Sequence, residues 1–205
     1  MAITKATLGR LPDYLRVLES EELKNSPTVS ATVIAKMLNL GEVQVRKDLN
    51  AVSGAGKPKT GYDTSALIAR LEETLGIDTK TYAVIVGAGK LGSALLDYSG
   101  FVEYGVEIIA GFDVDVSRCN EKIHGKNVYP MSEFSRFINE NGVEIGIIAV
   151  PKSAAQQVCD IMVKSGIKAI WNFAPQTLTV PNGVLLQQEN LALSVAFLNS
   201  QLKNK

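Results

Sequence analysis

Charge of one sign is missing from this chain. Its 205 residues carry 21 Lys and Arg against 21 Asp and Glu, a formal net charge of zero. No global field marks it as a polyanion binder, so any nucleic-acid contact must come from a local patch. Cysteine is scarce: Cys119 and Cys159 are the only two. They lie in unrelated segments and are too few for a disulfide scaffold, so reduced thiols in a cytoplasmic protein are expected. The single histidine, His124, excludes a multi-histidine metal site, and no metal partner is expected. The first residues lack the apolar core of a signal peptide, and no apolar run nears the roughly 18 residues of a membrane span. No membrane partner is expected either. What the chain does have is 46% hydrophobic and 20% charged residues, ordinary globular proportions that exclude disorder throughout. Its length is generous for one domain and comfortable for two small ones.

Residues 1–76 read as helices with one glycine-rich interruption. Leu11, Tyr14, Leu15 and Leu18 recur at helical spacing, predicting a helix from Pro12 to Asn25 that Ser26-Pro27 ends. Ser30 can cap a second helix carrying Ile34, Met37 and Leu38 inward. Asn39-Leu40-Gly41 is a tight turn, and a third helix then turns Val45, Leu49 and Val52 inward. Ser53 to Gly61 is closed to helix by three glycines and a proline. Thr64 to Leu75 is amphipathic, with Gly76 placed as its C-terminal cap.

From Thr81 the texture changes. Tyr82–Val86, Val106–Phe112, Ile145–Val150 and Ala169–Trp171 are continuous apolar runs, the mark of strands buried on both faces. Helical segments lie between them at Leu91–Tyr98, Ser132–Asn139 and Ala154–Ser165. Strand alternating with helix predicts a parallel, doubly wound α/β sheet. The tail repeats the helical period through Leu191, Val195, Leu198 and Leu202. The expected organisation is residues 1–78, 79–189 and 190–205.

Gly87-Ala88-Gly89-Lys90-Leu91-Gly92 fits G-x-G-x-x-G between a predicted strand and a predicted helix, the context that gives the motif meaning. The first glycine permits a sharp turn, the second lets the backbone approach a pyrophosphate, and the third lets the helix pack on the sheet. Free N–H groups at the helix start then face the phosphates. Asp113 follows Gly92 by 21 residues, close to the spacing of about 20 for the acid that accepts from the adenosine ribose. A carboxylate there favours NAD(H) over its 2′-phosphorylated form. Ala149-Val150-Pro151 and Asn172-Phe173, after the fourth and fifth strands, are candidates to wall the nicotinamide half. Ala94 sits on the first helix, with Tyr98 one turn beyond it.

Residues 43–62 hold four basic side chains, Arg46, Lys47, Lys57 and Lys59, against one acid, Asp48. The helix pair around Asn39–Gly41 has helix-turn-helix spacing. Gln44, Arg46 and Lys47 lie near the start of its second member, where a recognition helix meets base edges. Lys57-Pro58-Lys59 suits phosphate or minor-groove contacts from a wing.

These residues resemble the Rex family of redox-sensing transcriptional repressors. The resemblance runs along the whole chain. It rests on Arg10-Leu-Pro-Asp-Tyr-Leu-Arg16, Gln44-Val-Arg-Lys-Asp-Leu49, Gly61-Tyr62, the glycine motif, Tyr98-x-Gly-Phe101, Phe112-Asp-Val-Asp115, Ala149-Val-Pro151, Ala154-Ala-Gln156, Ser165-Gly-Ile-Lys168 and Asn172-Phe-Ala-Pro175. The resemblance implies a winged helix joined to a Rossmann domain. It implies a homodimer on palindromic double-stranded operator DNA that represses fermentation and anaerobic respiration genes until NADH releases it. It also implies a C-terminal helix swapped into the partner protomer. Two features depart from the family pattern. The segment after Arg46-Lys-Asp-Leu49 lacks the aromatic-rich run of many members and is similar to the clostridial-type variant. In many members an aspartate of the last segment pairs across the dimer with an arginine and a tyrosine, matching Arg16 and Tyr98. The matching position here is Asn190, which can hydrogen-bond but cannot form an ion pair.

Two rival readings remain. An NAD-dependent oxidoreductase needs a general acid or base near the nicotinamide, for which His124, Tyr98 and Lys152 are the candidates, with no catalytic pair standing out. A CoA-binding synthetase-like module is loosely suggested by Val150-Pro151 and Ser165–Lys168, and opposed by Asp113.

Overall fold

The computed structural model describes residues 3–119 and 122–203. The chain divides into two compact units, Met1–Thr79 and Lys80–Lys205.

The first unit runs α1 (Lys5–Leu8), α2 (Leu11–Leu18), β1 (Thr28–Val29), α3 (Ala31–Leu38), α4 (Glu42–Ser53), β2 (Tyr62–Asp63) and α5 (Thr64–Leu75). The helix expected to reach Asn25 stops at Leu18. Ser20 Oγ donates to the Val17 carbonyl at 2.6 Å, and Glu21-Glu22 would oppose the negative end of a longer helix. The single turn α1 is too short to show a period. Ser30 caps α3 as expected, accepting from the Val33 N–H at 3.2 Å. Asn39 ends that helix in the left-handed region, φ 52°. Met37, expected inward, is exposed, while Ile34, Val45 and Leu49 are fully buried with Leu11, Tyr14, Leu18, Leu67 and Leu71.

β1 and β2 pair antiparallel, Thr28 with Asp63 and Val29 with Tyr62. The chain enters β2 through a tight hairpin in which Lys57 and Gly61 exchange backbone hydrogen bonds of 2.7 and 2.9 Å. Gly61 is demanded there: its φ is 82°, and a Cβ would lie 2.3 Å from the Val29 carbonyl oxygen. Helices on a short ladder with a basic hairpin make this unit a winged helix-turn-helix.

The second unit runs β3 (Thr81–Val86), α6 (Lys90–Asp97), β4 (Val106–Asp113), β5 (Lys122–Ile123), β6 (Lys126–Pro130), α7 (Phe134–Asn141), β7 (Ile145–Ile148), α8 (Lys152–Lys164), β8 (Ala169–Asn172), β9 (Leu185–Gln188) and α9 (Leu191–Lys203). The strand order is β5-β6-β4-β3-β7-β8-β9, and every pair but β5–β6 is parallel. This is the expected Rossmann-type sheet, extended by β5, β6 and β9, which were not foreseen. Phe112, Phe134, Ile138, Ala155, Cys159 and Met162 fill one face. Ile85, Leu96, Ile108 and Ile147 fill the other, beneath α6.

Two departures touch expected functional residues. α6 ends at Asp97, and Tyr98 follows it in extended conformation rather than continuing the Ala94 face. Its ring lies over Gly100, where a Cβ would come within 2.6 Å, and meets Phe101 edge-on at 4.8 Å. The tail helix is apolar on more than one stripe, since Leu193 and Phe197 are exposed along with Leu191, Val195, Leu198 and Leu202.

Candidate nucleotide cleft and nucleic-acid interface

β3 lies between β4 and β7, and the chain crosses in opposite directions from it. The crevice outside the carboxyl end of such a strand is where ligands of open α/β sheets bind. Here it is a cleft of about 350 Å³, lined by Gly87, Gly89, Asp113, Val114, Asp115, Arg118, Ala149, Val150, Pro151 and Ala154 among others. The three glycines have different reasons. A Cβ on Gly92 would lie 1.8 Å from the Gly87 carbonyl oxygen, and one on Gly87 would lie 2.6 Å from the Ala149 oxygen. Those two are fixed by close backbone packing. A Cβ on Gly89 would meet nothing nearer than Arg118 Nη1 at 3.7 Å. Protein packing does not require that glycine; a pyrophosphate docking over the start of α6 would. The donor set therefore fits a dinucleotide pyrophosphate, with the N–H groups of Lys90 and Leu91 in the first turn of α6.

Asp113 stands at the mouth. Its Oδ2 accepts from the Ala88 N–H at 2.8 Å and its Oδ1 from the Asp115 N–H at 2.9 Å. A carboxylate has about four lone-pair sites, so two remain for a pair of ribose hydroxyls. Arg118, which sequence reasoning missed, donates Nη1 to the Ala88 carbonyl at 2.8 Å and pairs with Asp115 at 3.4 Å. Its only sequence signal was the Asp115-to-Arg118 spacing. Behind this loop the buried Cys119 thiol points at the Asp115 carbonyl, 3.3 Å away. Burial first, and the Asp113 and Asp115 charges second, push that thiol up.

Asn172, expected to wall the nicotinamide half, ends β8. It is wholly buried. Its Nδ2 donates to the Ala174 and Gln176 carbonyls and to Gln188 Oε1 at 3.2, 2.8 and 2.8 Å, while Oδ1 accepts from the Ala174 N–H at 3.0 Å. With its amide engaged in this way it shapes the loop after β8. Phe173 and the exposed Ala94 lie outside the Asp113 cleft. Phe173 packs on Trp171 at 4.6 Å. His124 does not line the cleft. It sits in the β5–β6 turn at φ 50° with Nδ1 2.9 Å from Asp97.

In the first unit Lys57 and Lys59 stand on the hairpin, and Arg46 joins them around a hollow of about 380 Å³ with Ser30, Ala31 and Thr32. Arg46 and Lys47 are exposed on α4. Gln44 is exposed too, but its Nε2 donates to Asp48 at 3.0 Å, so half of its amide is engaged. Arg46 is ion-paired with Glu42 one turn earlier. Glu42→Ala is expected to free that guanidinium and to tighten duplex DNA binding about two- to fourfold with little change in sequence preference. Anisotropy titrations on specific and random duplexes at fixed salt measure both quantities.

Comparison with known proteins agrees with this pairing of sites. Residues 2–50 match a family model described as "Putative DNA-binding protein N-terminus", and residues 78–176 match one described as "CoA binding domain". The chain is 41% identical over 199 residues to the redox-sensing transcriptional repressor Rex of Treponema denticola, covering 97% of this chain and 95% of that protein. It is 40% identical over 207 residues to the Rex repressor of Desulforamulus reducens, covering 100% and 99%. The chain belongs to the Rex family. Among solved structures, RSP in complex with β-NAD⁺ and operator DNA superposes with a TM-score of 0.92 at 33% identity, covering 100% of this chain and 94% of that one. RSP in complex with β-NADH gives 0.83 at 32% identity, covering 100% and 96%. The Rex relatives are transcriptional repressors rather than enzymes.

The structure gives a physical reason for two of the Rex motifs. Asp48, from Gln44–Leu49, is 2% exposed. It accepts from Arg10 Nε at 2.8 Å and Nη2 at 3.0 Å, and from Tyr14 Oη at 2.7 Å. Thr7 Oγ1 adds a fourth bond at 3.0 Å. Arg10–Arg16 and Gln44–Leu49 thus meet on one buried carboxylate that fixes α4 against α2. The three residues expected at the family switch lie apart in the chain. Arg16 pairs with Asp13 on its own helix at 2.7 Å. Tyr98 is exposed beyond α6. Asn190 Oδ1 accepts from the Leu193 N–H at 2.9 Å and so caps α9.

Proposed function

We propose that this Rex-family chain is an NAD(H)-binding repressor of operator DNA that acts as a homodimer and loses its operator when NADH binds. Residues 1–78 supply the DNA-binding winged helix, residues 79–189 the NAD(H)-binding Rossmann domain, and residues 190–205 the dimerising tail. The observation that carries the cofactor reading is the free space over Gly89 between two glycines locked by packing, with Asp113 at the mouth. When bound, NAD(H) supplies a nicotinamide ring whose charge reports its redox state. Gly87, Ala88, Gly89, Lys90, Leu91 and Gly92 seat the pyrophosphate, Asp113 takes the ribose, and Ala149, Val150 and Pro151 wall the far side. Gln44, Arg46, Lys47, Lys57 and Lys59 form the DNA-facing set. Derepression of fermentation and anaerobic genes, from the cytoplasm, follows the family pattern.

A helix apolar nearly all round must be covered. Leu191, Leu193, Val195, Phe197, Leu198 and Leu202 are each 59–73% exposed. The same unit holds an open apolar groove of about 500 Å³ lined by Phe101, Tyr104, Ile145, Trp171 and Leu185 among others. Exchange of tails between two copies would bury both surfaces. Deleting residues 190–205 is expected to halve the mass seen by sedimentation while leaving far-UV helicity otherwise intact. A truncated chain still dimeric would contradict the tail assignment.

Titration calorimetry with NADH, NADPH and CoA tests the cofactor. NADH should bind at least tenfold more tightly than NADPH, because Asp113 repels a 2′-phosphate in a partly dry cleft. CoA should compete weakly or not at all. Asp113→Ala should weaken NADH about tenfold and narrow the gap to NADPH, since Arg118 remains and an arginine nearby accommodates a 2′-phosphate. Equal wild-type affinity for NADH and NADPH, or preference for CoA, would overturn the reading.

A further inference from the structure

We propose that Val43 is a base-reading residue whose isopropyl group contacts the 5-methyl of one thymine in each operator half-site. The proposal rests on the DNA-binding reading above. Val43 lies in the first turn of α4, the end of a recognition helix that meets base edges, and it is 68% exposed. The other apolar residues of this helix behave differently. Val45 and Leu49 are fully buried, and Val52 packs against the same core. Val43 belongs to no packed apolar cluster among the described residues.

Its neighbours say what it faces. At about 100° per residue, Val43, Arg46, Lys47 and Asn50 fall within one arc of about 100° on α4. All four line one hollow, closed by Ala55, Gly56 and Tyr62 at the root of the wing. Gln44 stands about 100° away from Val43, drawn to the flank by its bond to Asp48. The outward stripe therefore holds two cations, one amide and one branched apolar group. The cations suit phosphate and guanine. The apolar group matches the one apolar feature on the major-groove floor, the thymine methyl. No core contact accounts for a valine kept in water between two cations.

The test uses the full-length protein without NADH and an operator duplex that the protein itself has selected from a random pool. Each thymine is replaced singly, in both half-sites, by deoxyuridine, which removes the methyl and keeps the base pair. Binding is read by fluorescence anisotropy at fixed salt. Burial of one methyl per half-site predicts that wild type loses about fourfold per half-site, about fifteenfold in all, at one thymine position. Val43→Ala should lose the same amount on the thymine operator and be indifferent to deoxyuridine at that position alone. An unchanged thermal midpoint shows that the variant folds. If the two losses multiply at every position, or if wild type ignores every deoxyuridine, Val43 does not read thymine. If the protein selects no operator from the pool, the repressor reading fails, and this inference fails with it.

Discussion

Replacing Asp48 with alanine is expected to destabilise the DNA-binding unit by about 3–5 kcal/mol, the cost of removing one partner of a buried ion pair. The loss should lie toward the lower bound, because Arg10 is 28% exposed and regains some water. Tyr14 Oη does not, and loses its acceptor in the core, while Thr7 Oγ1 keeps Thr4 Oγ1 at 2.9 Å. Asp48→Asn keeps the shape but removes the charge, and should fall between wild type and alanine. The network also sets a pH dependence. Burial pushes the Asp48 carboxyl up, but its bonds from Arg10, Tyr14 and Thr7 outweigh this and hold it below the usual carboxylate range. Its folded value is depressed, so its stabilisation is complete above the usual range and disappears as pH falls through the depressed value. Tyr14 runs the other way. Burial, and then the Asp48 bond, push its hydroxyl up to about 12. That contribution is complete below the ordinary value of 10.0 and lost as pH rises toward 12. Urea unfolding separates the two units, because Trp171, the only tryptophan, lies in the second. Far-UV dichroism should show an early transition in Asp48→Ala while the Trp171 fluorescence transition stays in place. An equal shift of the Trp171 fluorescence transition in Asp48→Ala would contradict the assignment.

The second large effect is the redox switch. NADH is expected to weaken operator binding about 150-fold, and NAD⁺ to occupy the same cleft while leaving DNA binding largely intact. A ligand shifts an equilibrium between two states only by its differential affinity for them. Oxidised nicotinamide is a planar cation, and the reduced ring is neutral. If Ala94, Phe173 and the partner's Leu191 wall the nicotinamide, as the sequence leads one to expect, that apolar surround would favour the neutral ring. A preference of about 3 kcal/mol is enough for that change. A run of contacts in the second unit begins at Phe173. Phe173 packs on Trp171 at 4.6 Å, Trp171 on Phe101 at 5.6 Å, and Phe101 on Tyr98 at 4.8 Å. Trp171 Nε1 donates to Glu189 at 2.9 Å, and the next residue, Asn190, caps the tail. The loop after β8 is thus tied both to the exposed Tyr98 and to the start of α9. Asn190 caps its helix through Oδ1 and keeps Nδ2 to donate.

Where burial is two-sided or backbone crowding is severe, the sequence announces itself. The runs ending at Val86 and Phe112 became central strands, and Gly87 and Gly92 stand where no side chain fits. The 64–75 helix appeared with its stated bounds because Asp63 and Gly76 punctuate it. The strands toward the two margins of the sheet gave no such signal. Lys122–Ile123, Lys126–Pro130 and Leu185–Gln188 are short, mixed in polarity and half in water, and pair only because an adjacent strand offers them a ladder. Asp48 shows a second limit. As part of a charge pattern it reads as the one acid in a basic patch, yet it is the buried acceptor for residues 34 to 41 positions away. No local period encodes such a meeting. Asn172 was legible as a loop residue at the right end of the sheet, but its full engagement with its own loop depends on Gln188 on the neighbouring strand. Arg118 became a cleft residue only when the chain after Asp113 folded back over Gly89.

Linkage is reciprocal, so saturating operator DNA must weaken NADH binding by the factor by which NADH weakens operator binding. The decisive measurement is an NADH titration of the full-length protein, with and without operator duplex, at one salt concentration. The account predicts NADH dissociation constants about 150-fold apart, with NAD⁺ constants nearly equal in the two titrations. Identical NADH affinities with and without operator would mean that the nucleotide is only a structural ligand, and would contradict the redox-sensing account.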